Sequence, residues 1–462
     1  MQLSHARSSL SASFDEPNLV SDVGLVPVMV LAREAGLGDL AQKQLSVPTD
    51  KGANAGLKVA SLIAGMVAGA DSIDDMALLR HGGMGKVFGS CYAPSTLGSF
   101  LRSFTFGHVR QLDAVASRFL VNLADRTPLL GSNTNEYTLV DVDDTIIEVH
   151  GYQKQGSSYG YSGVRGLNAL LATVSTKDAA PVILAQRLRK GSTGSPRGAA
   201  RLVADALATL KRVRGNNPGP VLLRADSAFY GYATVNAAAK AGAAVSITAR
   251  MDKAIKRAIA GIEAKAWKPI QYTDAVFDEA ADRWISSAEV AETPFTAFSS
   301  RKQAEQVTGR LIVRRIPDLN PHARAGQPTM FDTYRFHAFF TTGNLDTVTA
   351  DKTHRGHAII EQVNADLKQS ALAHLPSGVF TANAAWLVLA VMAFNLTRAA
   401  ATAAGNGLAK ARTGTIRRKL ISVPARIASR ARKLILHLPN NWPWETAWTQ
   451  LFNQALRQSL KI

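Results

Sequence analysis

The chain has 462 residues and a 46% hydrophobic fraction, with 53 Lys+Arg against 35 Asp+Glu for a formal net charge of +18. That length accommodates two or three domains, and the charge excess favours a polyanionic partner, nucleic acid before others. Cys91 is the only cysteine, which excludes a disulfide framework and a cysteine-based zinc site.

The first stretch, MQLSHARSSLSASFDEPN, is polar and carries no signal-peptide pattern. Residues 20 to 130 read as helical, with apolar residues at helical spacing in LKVASLIAGMVAGA, IDDMALLR, TLGSFLRSF and VRQLDAVASRFLVNLADR. Gly82-Gly83 and Pro94-Ser95 break the pattern, and Ser95 or Thr96 is the expected N-cap of the next helix. Arg80, Lys86, Arg102 and Arg110 near the breaks suit a DNA-binding module; a dimerisation or scaffolding domain fits the same pattern.

From Tyr137 the period changes. YTLVDVDDTIIEVHG, GVRGLNALLATVST and APVILAQRLR read as three strands, GAARLVADALATLKRVR as an amphipathic helix, and GPVLLRADSAF as a strand. A short helix, YATVNAAAKAG, and another strand, AAVSITARM, follow. The order predicts an α/β sheet whose first strands are antiparallel. Residues 252 to 335 break the alternation, and TDAVFDEAADRWISSAEVAETPF and GRLIVRRIPD read as strands and turns inserted into it. RFHAFFTT resumes a buried strand, and 354–372 and 380–400 read as helices. The apolar run AAWLVLAVMAF lies between Asn383 and Asn395. It is shorter than the roughly 20 residues a spanning helix needs, so a buried helix of a soluble protein is expected. The segment KARTGTIRRKLISVPARIASRARKLILHLP is basic without one acid, and reads as a DNA-contacting β-ribbon that includes Arg417, Arg418 and Lys419.

Three carboxylates interrupt the first strand. Asp141, Asp143 and Asp144 sit where a buried strand carries apolar side chains, and a buried carboxylate costs several kcal/mol unless it is paired or binds a metal. Asp226 ends a second strand of the same sheet. Oxygen ligands converging from two strands suit Mg²⁺, and two such ions can activate water and stabilise a leaving oxygen in phosphodiester cleavage. On the helix 354–372, His354, His357, Glu361 and Lys368 fall near one face, offering an acid for metal, a lysine and two imidazoles; a solvated charged face has the same pattern.

With these residues in place, the chain resembles the DDE transposases of bacterial insertion sequences, in the branch grouped as transposase DDE domain, group 1. Asp143-Asp144-Thr145 is similar to that branch's Asp-x-Thr strand, and Asp226-Ser227-Ala228-Phe229 to its Asp-Ser-Gly-Phe-like strand end. His354-x2-His357-x3-Glu361-x6-Lys368 matches the spacing of its Tyr-x2-Arg-x3-Glu-x6-Lys helix, with histidines in the Tyr and Arg positions. Arg355, one residue along, is the candidate replacement for the missing arginine.

The resemblance implies an RNase H-like α/β core interrupted by a β-rich insertion and preceded by a helical N-terminal domain. The implied limits are 1–130 for a helical DNA-binding or assembly domain, 135–252 and 335–405 for the core, 253–334 for the insertion, and 406–462 for a basic C-terminal segment. It implies Asp143, Asp226 and Glu361 as catalytic ligands of two Mg²⁺ ions, with Mn²⁺ able to substitute, and Asp141 as their supporting neighbour. Lys368, His354, His357 and Arg355 would meet DNA. An aromatic of the insertion would stabilise a flipped base, with Trp284 and Trp267 as candidates and burial in the insertion as the plainer reading of each.

The implied substrate is double-stranded DNA, as terminal inverted repeats and target, worked on by a homodimer in the bacterial cytoplasm near the nucleoid, with no membrane association. The implied chemistry is strand cleavage, a hairpin intermediate and strand transfer. KGSTGSPRG (190–198) lacks the Gly-Lys-Ser/Thr ending of a P-loop, so no nucleotide cofactor is expected, while Arg187, Arg189 and Lys190 beside it are candidates for phosphate contact. A nuclease that stops at cleavage, and a catalytically silent DNA-binding descendant, are the rival readings. A glycosidase with paired carboxylates explains neither the charge nor Lys368.

Overall fold

The computed structural model describes residues 1, 4–5, 7–130, 136–176, 179–215, 219–271, 277–278, 283–284, 287–317, 334–405 and 407–458. Five longer helices come first: α1 (Leu25–Glu34), α2 (Leu37–Gln44), α3 (Ala55–Ala68), α4 (Pro94–Arg102) and α5 (Phe106–Arg126). The cap expected at Ser95 or Thr96 lies earlier, at Ala93. Pro94 takes the first turn of α4, where its fixed φ and missing N–H cost nothing, and Ala93 is the N-cap. Helix α5 is closed by a capping box between Thr105 and His108.

The α/β alternation then appears in the expected order: β1 (Thr138–Glu148), β2 (Arg165–Ser175), β3 (Val182–Lys190), α6 (Ala199–Arg214), β4 (Val221–Ala225), α7 (Tyr232–Lys240) and β5 (Ala244–Thr248). Strands β1, β2 and β3 are successively antiparallel, whereas β4 joins β1 in parallel and β5 joins β4 in parallel.

Among the described residues of 253–334, Phe277–Asp278 and Arg283–Trp284 pair as a separate two-stranded sheet, and the remaining strands extend the main one. A helix at Lys253–Ala260 comes first, then β6 (Lys268–Gln271), β7 (Ser287–Ala297), β8 (Val307–Pro317) and, resuming the buried pattern, β9 (Tyr334–Thr341). Strand β9 pairs antiparallel with β5, β8 with β9, β7 with β8 and β6 with β7. The sheet therefore runs continuously as β3-β2-β1-β4-β5-β9-β8-β7-β6, with Ser158–Tyr159 added beside β2.

The helix expected over 354–372 is two helices. α8 (Thr347–Arg355) starts at the N-cap Asp346, whose carboxylate accepts from the backbone N–H groups of Val348 and Thr349. A single 3₁₀ turn, Gly356–Ala358, separates it from α9 (Ile359–Lys368).

Helix α10 (Phe380–Ala404) has 25 residues and runs a turn beyond the helix expected over 380–400. It is long and apolar enough to cross a membrane, yet 94% of its most apolar window is buried inside the protein. A helix apolar all round belongs in a core, and its asparagines are satisfied there. Asn395 pairs with both backbone groups of Ile183 in edge strand β3, at 2.9 and 2.8 Å. Around α10 one apolar cluster joins Leu62 and Phe119 of the N-terminal helices to Val142 and Leu170 of the sheet and to Trp386. The expected boundary at residue 130 does not divide two cores.

Only the second half of the basic segment forms a ribbon, β10 (Ala425–Arg430) and β11 (Lys433–His437), with Leu19–Val20 paired to β10 as a third strand; Arg417, Arg418 and Lys419, expected on the ribbon, lie in the helical turn Arg417–Ile421. A last helix, α11 (Glu445–Gln458), follows.

Helix α9 is fixed from behind by one buried charge pair. Asp366 on α9 accepts from Arg398 of α10, from the Thr413 backbone N–H at 3.0 Å and from its hydroxyl at 3.0 Å. Asp366→Ala would leave Arg398 buried without its carboxylate, at a cost of about 3–5 kcal/mol. Urea unfolding should register that loss, and Asp366→Ala with Arg398→Met should recover most of it.

Candidate active site

Strand register brings the first two acids together. The parallel pairing of β1 with β4 runs Val140 to Leu223, Asp141 to Arg224 and Val142 to Ala225, so the next residues along are Asp143 and Asp226. Strand β4 ends there while β1 continues to Glu148. Asp226 turns out of the sheet as the N-cap of a 3₁₀ turn, its carboxylate accepting from the Ala228 N–H at 2.9 Å.

The three aspartates of β1 have three different environments. Asp141 is fully buried and takes a two-pronged bond from Arg224, Nε to Oδ1 and Nη2 to Oδ2, both at 2.7 Å. Asp144 faces the other side of the sheet, where Arg189 Nη2 meets it at 2.6 Å and Asn168 also donates. Asp143 accepts only a neutral donor side chain, Asn364 Nδ2 at 3.0 Å, and has no ion pair among the described residues. Burial pushes its carboxyl up to about 6, with the charges of Asp144 and Asp226 adding to the rise and the Asp144 N–H and His357 opposing it. Burial likewise raises Asp226.

Helix α9 packs across β1 and presents Asn364 to Asp143. Glu361, one turn earlier on that face, is solvent-exposed. Lys368, one turn later, has its pKa lowered by desolvation and pulled back up by the charges of Asp143 and Glu148. Among the described residues no three His, Cys, Asp or Glu side chains meet closely enough to hold one ion. Asp143 and Asp226 are brought together; Glu361 lies alongside without closing on them.

The two histidines of the helix pattern part company. His357, in the 3₁₀ turn, donates from Nδ1 to Asp141 Oδ1 at 2.9 Å, since a carboxylate can only accept. His354 turns to the sheet instead. Its ring nitrogens meet the hydroxyls of Ser246 and Thr248 at 2.9 and 3.0 Å, and the ring stacks on Phe339 at 4.1 Å. Burial, with His357 and Arg224 nearby, drops its pKa to about 3, so it is a neutral packing residue and not the expected DNA contact. Arg355 is tied to Asp351 at 2.9 Å.

Other expected phosphate contacts also turn inward. Arg189 is spent on Asp144 and on the carbonyls of Ser195 and Arg197, which wraps the Gly-rich loop around it. Arg187 pairs with Asp113 and Asp205. Arg417 packs against Gly69, and burial lowers its pKa. Arg418 is exposed, and the Lys419 ammonium lies 5.1 Å from the Trp444 ring. Trp267 stacks with Arg315 and Phe336 beside the far edge strand β6. Trp284 belongs to a two-residue strand, and its side chain lies outside the described residues.

Sequence reasoning assigned no role to Arg224 or Asn364. Arg224 is the one charge inside the apolar stretch of β4, a visible signal. Its Nη1 also reaches the Thr353 carbonyl. Gly356 makes room for it, since a Cβ there would lie 2.8 Å from Nη1. Asn364 stands three residues after Glu361, a helical neighbour that only the packing of α9 on β1 singles out.

A family model matches residues 3–460, described as transposase DDE domain group 1. The chain belongs to that family. The DDE transposase family acts on DNA in transposition and recombination, and the acids of β1 and β4 stand where its Asp-x-Thr and Asp-Ser patterns were read. No curated protein matches the chain.

The raised Asp143 carboxyl gives this transposase a pH signature. Its folded pKa, about 6, lies above the ordinary 3.8. Its contribution to stability is therefore complete below about pH 4 and lost as pH rises through 6. Asp143→Asn fixes the neutral form. In EDTA the variant should match the wild type at pH 4 and exceed it at pH 8 by up to about 3 kcal/mol, measured by denaturant unfolding.

Proposed function

We propose that the protein is the transposase of a bacterial insertion sequence and that it cuts DNA at the element's ends and joins them to a target. The observation that carries this is the partition of charge on β1. Asp141 and Asp144 are each neutralised by a buried arginine, while Asp143, beside Asp226, has no cation partner among the described residues. An acid buried at this cost and left unpaired by the chain is suited to a cation from outside it.

The strand order β3-β2-β1-β4-β5, with three antiparallel strands followed by two parallel to β1, supports reading this part as an RNase H-like core. On that reading β6 to β8 are the insertion, grafted as an extension of the sheet.

The donors fit a divalent ion. Asp143 and Asp226 supply hard oxygens, and Asn364 Oδ1 is a further buried oxygen with no donor among the described residues. Glu361 is the expected third ligand. Mg²⁺ ions held there would lower the pKa of water and stabilise the leaving 3′ oxygen. The chain's own residues do the rest. Asn364 orients the Asp143 carboxylate, Arg224 and His357 clamp Asp141 beneath it, and Lys368 offers an ammonium to a phosphate oxygen. Two copies acting on two ends, a hairpin intermediate and strand transfer complete the proposal by likeness to the family.

The test uses duplexes copied from the DNA that borders the coding region. With Mg²⁺ or Mn²⁺ the wild type should nick them near the inverted repeat and give joined products with a target plasmid. Asp143→Asn, Asp226→Asn and Glu361→Gln should each lower cleavage by about 10³-fold or more. Full cleavage by Glu361→Gln would remove it from the site. Cleavage without joined products would convert the reading to a nuclease.

A further inference from the structure

The outer face of the ribbon β10–β11 has no part in the site around Asp143. Cross-strand pairing sets Arg426 opposite His437, Ala428 opposite Ile435 and Arg430 opposite Lys433, and Leu19 joins the first of these rows. Because side chains alternate along a strand, these residues share one face, while Ile427 and Leu436 fall on the other. Ile427 is buried in the main apolar cluster and Leu436 packs on it, so the first set faces outward. Arg426, Arg430, Lys433 and His437 are exposed, Leu19 and Ile435 are 50% and 39% exposed, and no acid occurs between Ala425 and His437.

Two features of this face destabilise the ribbon when it stands alone. Arg430 and Lys433 are like charges directly opposite one another, which weakens a strand pair. Arg426, Arg430, Arg432 and Lys433 have no ion pair among the described residues. The two residues that join the strands, Ala431 and Arg432, have φ of 49° and 63°, the left-handed pair of a two-residue I′ turn. Asparagine and glycine take that conformation readily, whereas alanine and arginine do so under strain. The strained turn keeps a further cation at the ribbon's tip. A polyanion against the face would offset the repulsion that the chain itself leaves uncompensated.

We propose that this face lies in the major groove of a DNA duplex and reads its base sequence. The ribbon would then select the DNA on which the acids act. The inference rests on the reading of the chain as a DNA-cutting transposase.

Shape favours that groove. It is about 12 Å wide and admits a two-stranded ribbon, whereas the minor groove, at about 6 Å, does not. The chemistry of the rows points the same way. An arginine such as Arg430 can give two hydrogen bonds to O6 and N7 of one guanine, a pattern that only the major groove displays. Ala428 and Ile435 form a small apolar step between the two basic rows. Such a step suits the methyl group of thymine, which projects into the same groove. A surface that met phosphates alone would gain nothing from exposing Ile435. Arg432 and Lys433, at the tip, supply charge for flanking phosphates, which fix the register without reading sequence.

The test uses full-length protein in EDTA and duplexes copied from the DNA bordering the coding region. The duplexes are sparsely methylated with dimethyl sulfate, which marks guanine N7 in the major groove and adenine N3 in the minor. For the wild type, methylation of a few neighbouring guanines should block binding. Arg430→Gln should weaken binding about tenfold and release one guanine from the blocked set while leaving the others. Its side chain is exposed and repelled by Lys433, so the variant's urea midpoint should not fall below that of the wild type. A blocked set confined to adenines, an Arg430→Gln pattern identical to the wild type's, or an equal loss of affinity for unrelated duplexes would overturn the proposal. If the wild type cuts these duplexes in Mg²⁺ while Arg430→Gln binds them as tightly, the ribbon's role alone falls. If the wild type neither binds nor cuts them, the transposase reading falls and this one with it.

Discussion

The arrangement of the site depends on the buried pair between Asp141 and Arg224. Both side chains are almost fully enclosed, and the two-pronged geometry satisfies two donors and both carboxylate oxygens. A charged pair in that position contributes little net stability, because two desolvations offset the attraction. Its effect is on placement. It joins the two parallel strands at the register that sets Asp143 beside Asp226, and through His357 and the Thr353 carbonyl it fixes the turn between α8 and α9. The sheet and the helix bearing Glu361 are thereby held by one guanidinium.

Helix α9 is held on two sides by the same chemistry. Towards the sheet Asn364 meets Asp143, and away from it Asp366 meets Arg398 and Thr413 of the elements behind. A helix of ten residues has little intrinsic stability in water, so these polar anchors, with buried Ile360, Val363 and Leu367, give it one orientation. The 3₁₀ break at Gly356 belongs to the same design: it is where Arg224 needs space, and it turns His354 into the sheet and leaves His357 at the acids.

Much of this was legible in the sequence. Period-2 alternation split Asp141 and Asp143 from Asp144, and the order of strands and helices through residue 248 matches the structure. The misses share a physical cause. Periodicity says which face a residue occupies but not what waits opposite, and the answering groups are far away in the chain. Asp144 is met by Arg189 and Asp141 by Arg224. His354 was placed by counting along an unbroken helix, and the break at Gly356–Ala358 invalidates the count. Strands β7 to β9 read as strands, yet nothing local in them states that they extend the main sheet. Asn395 lies inside the helix expected over 380–400, and the group that satisfies its buried amide, Ile183 of β3, is 212 residues away in the chain.

Several arginines that looked available to DNA are consumed internally: Arg187 and Arg189 pair with acids, and Arg417 is packed against Gly69. A pair removes one charge of each sign, so internal pairing leaves the excess of +18 untouched and transfers it to the residues that remain outside. Arg418, Arg426, Arg430, Arg432 and Lys433 are among those, all exposed, and the last four lie on or between the strands of the β-ribbon β10–β11. Net composition is thus a sound guide to the class of partner while being a poor guide to which residues touch it. The acids obey the same rule in reverse. On β1, Asp141 and Asp144 are answered by buried arginines, and Asp143, without such a pair among the described residues, is the acid to which the proposed chemistry is assigned.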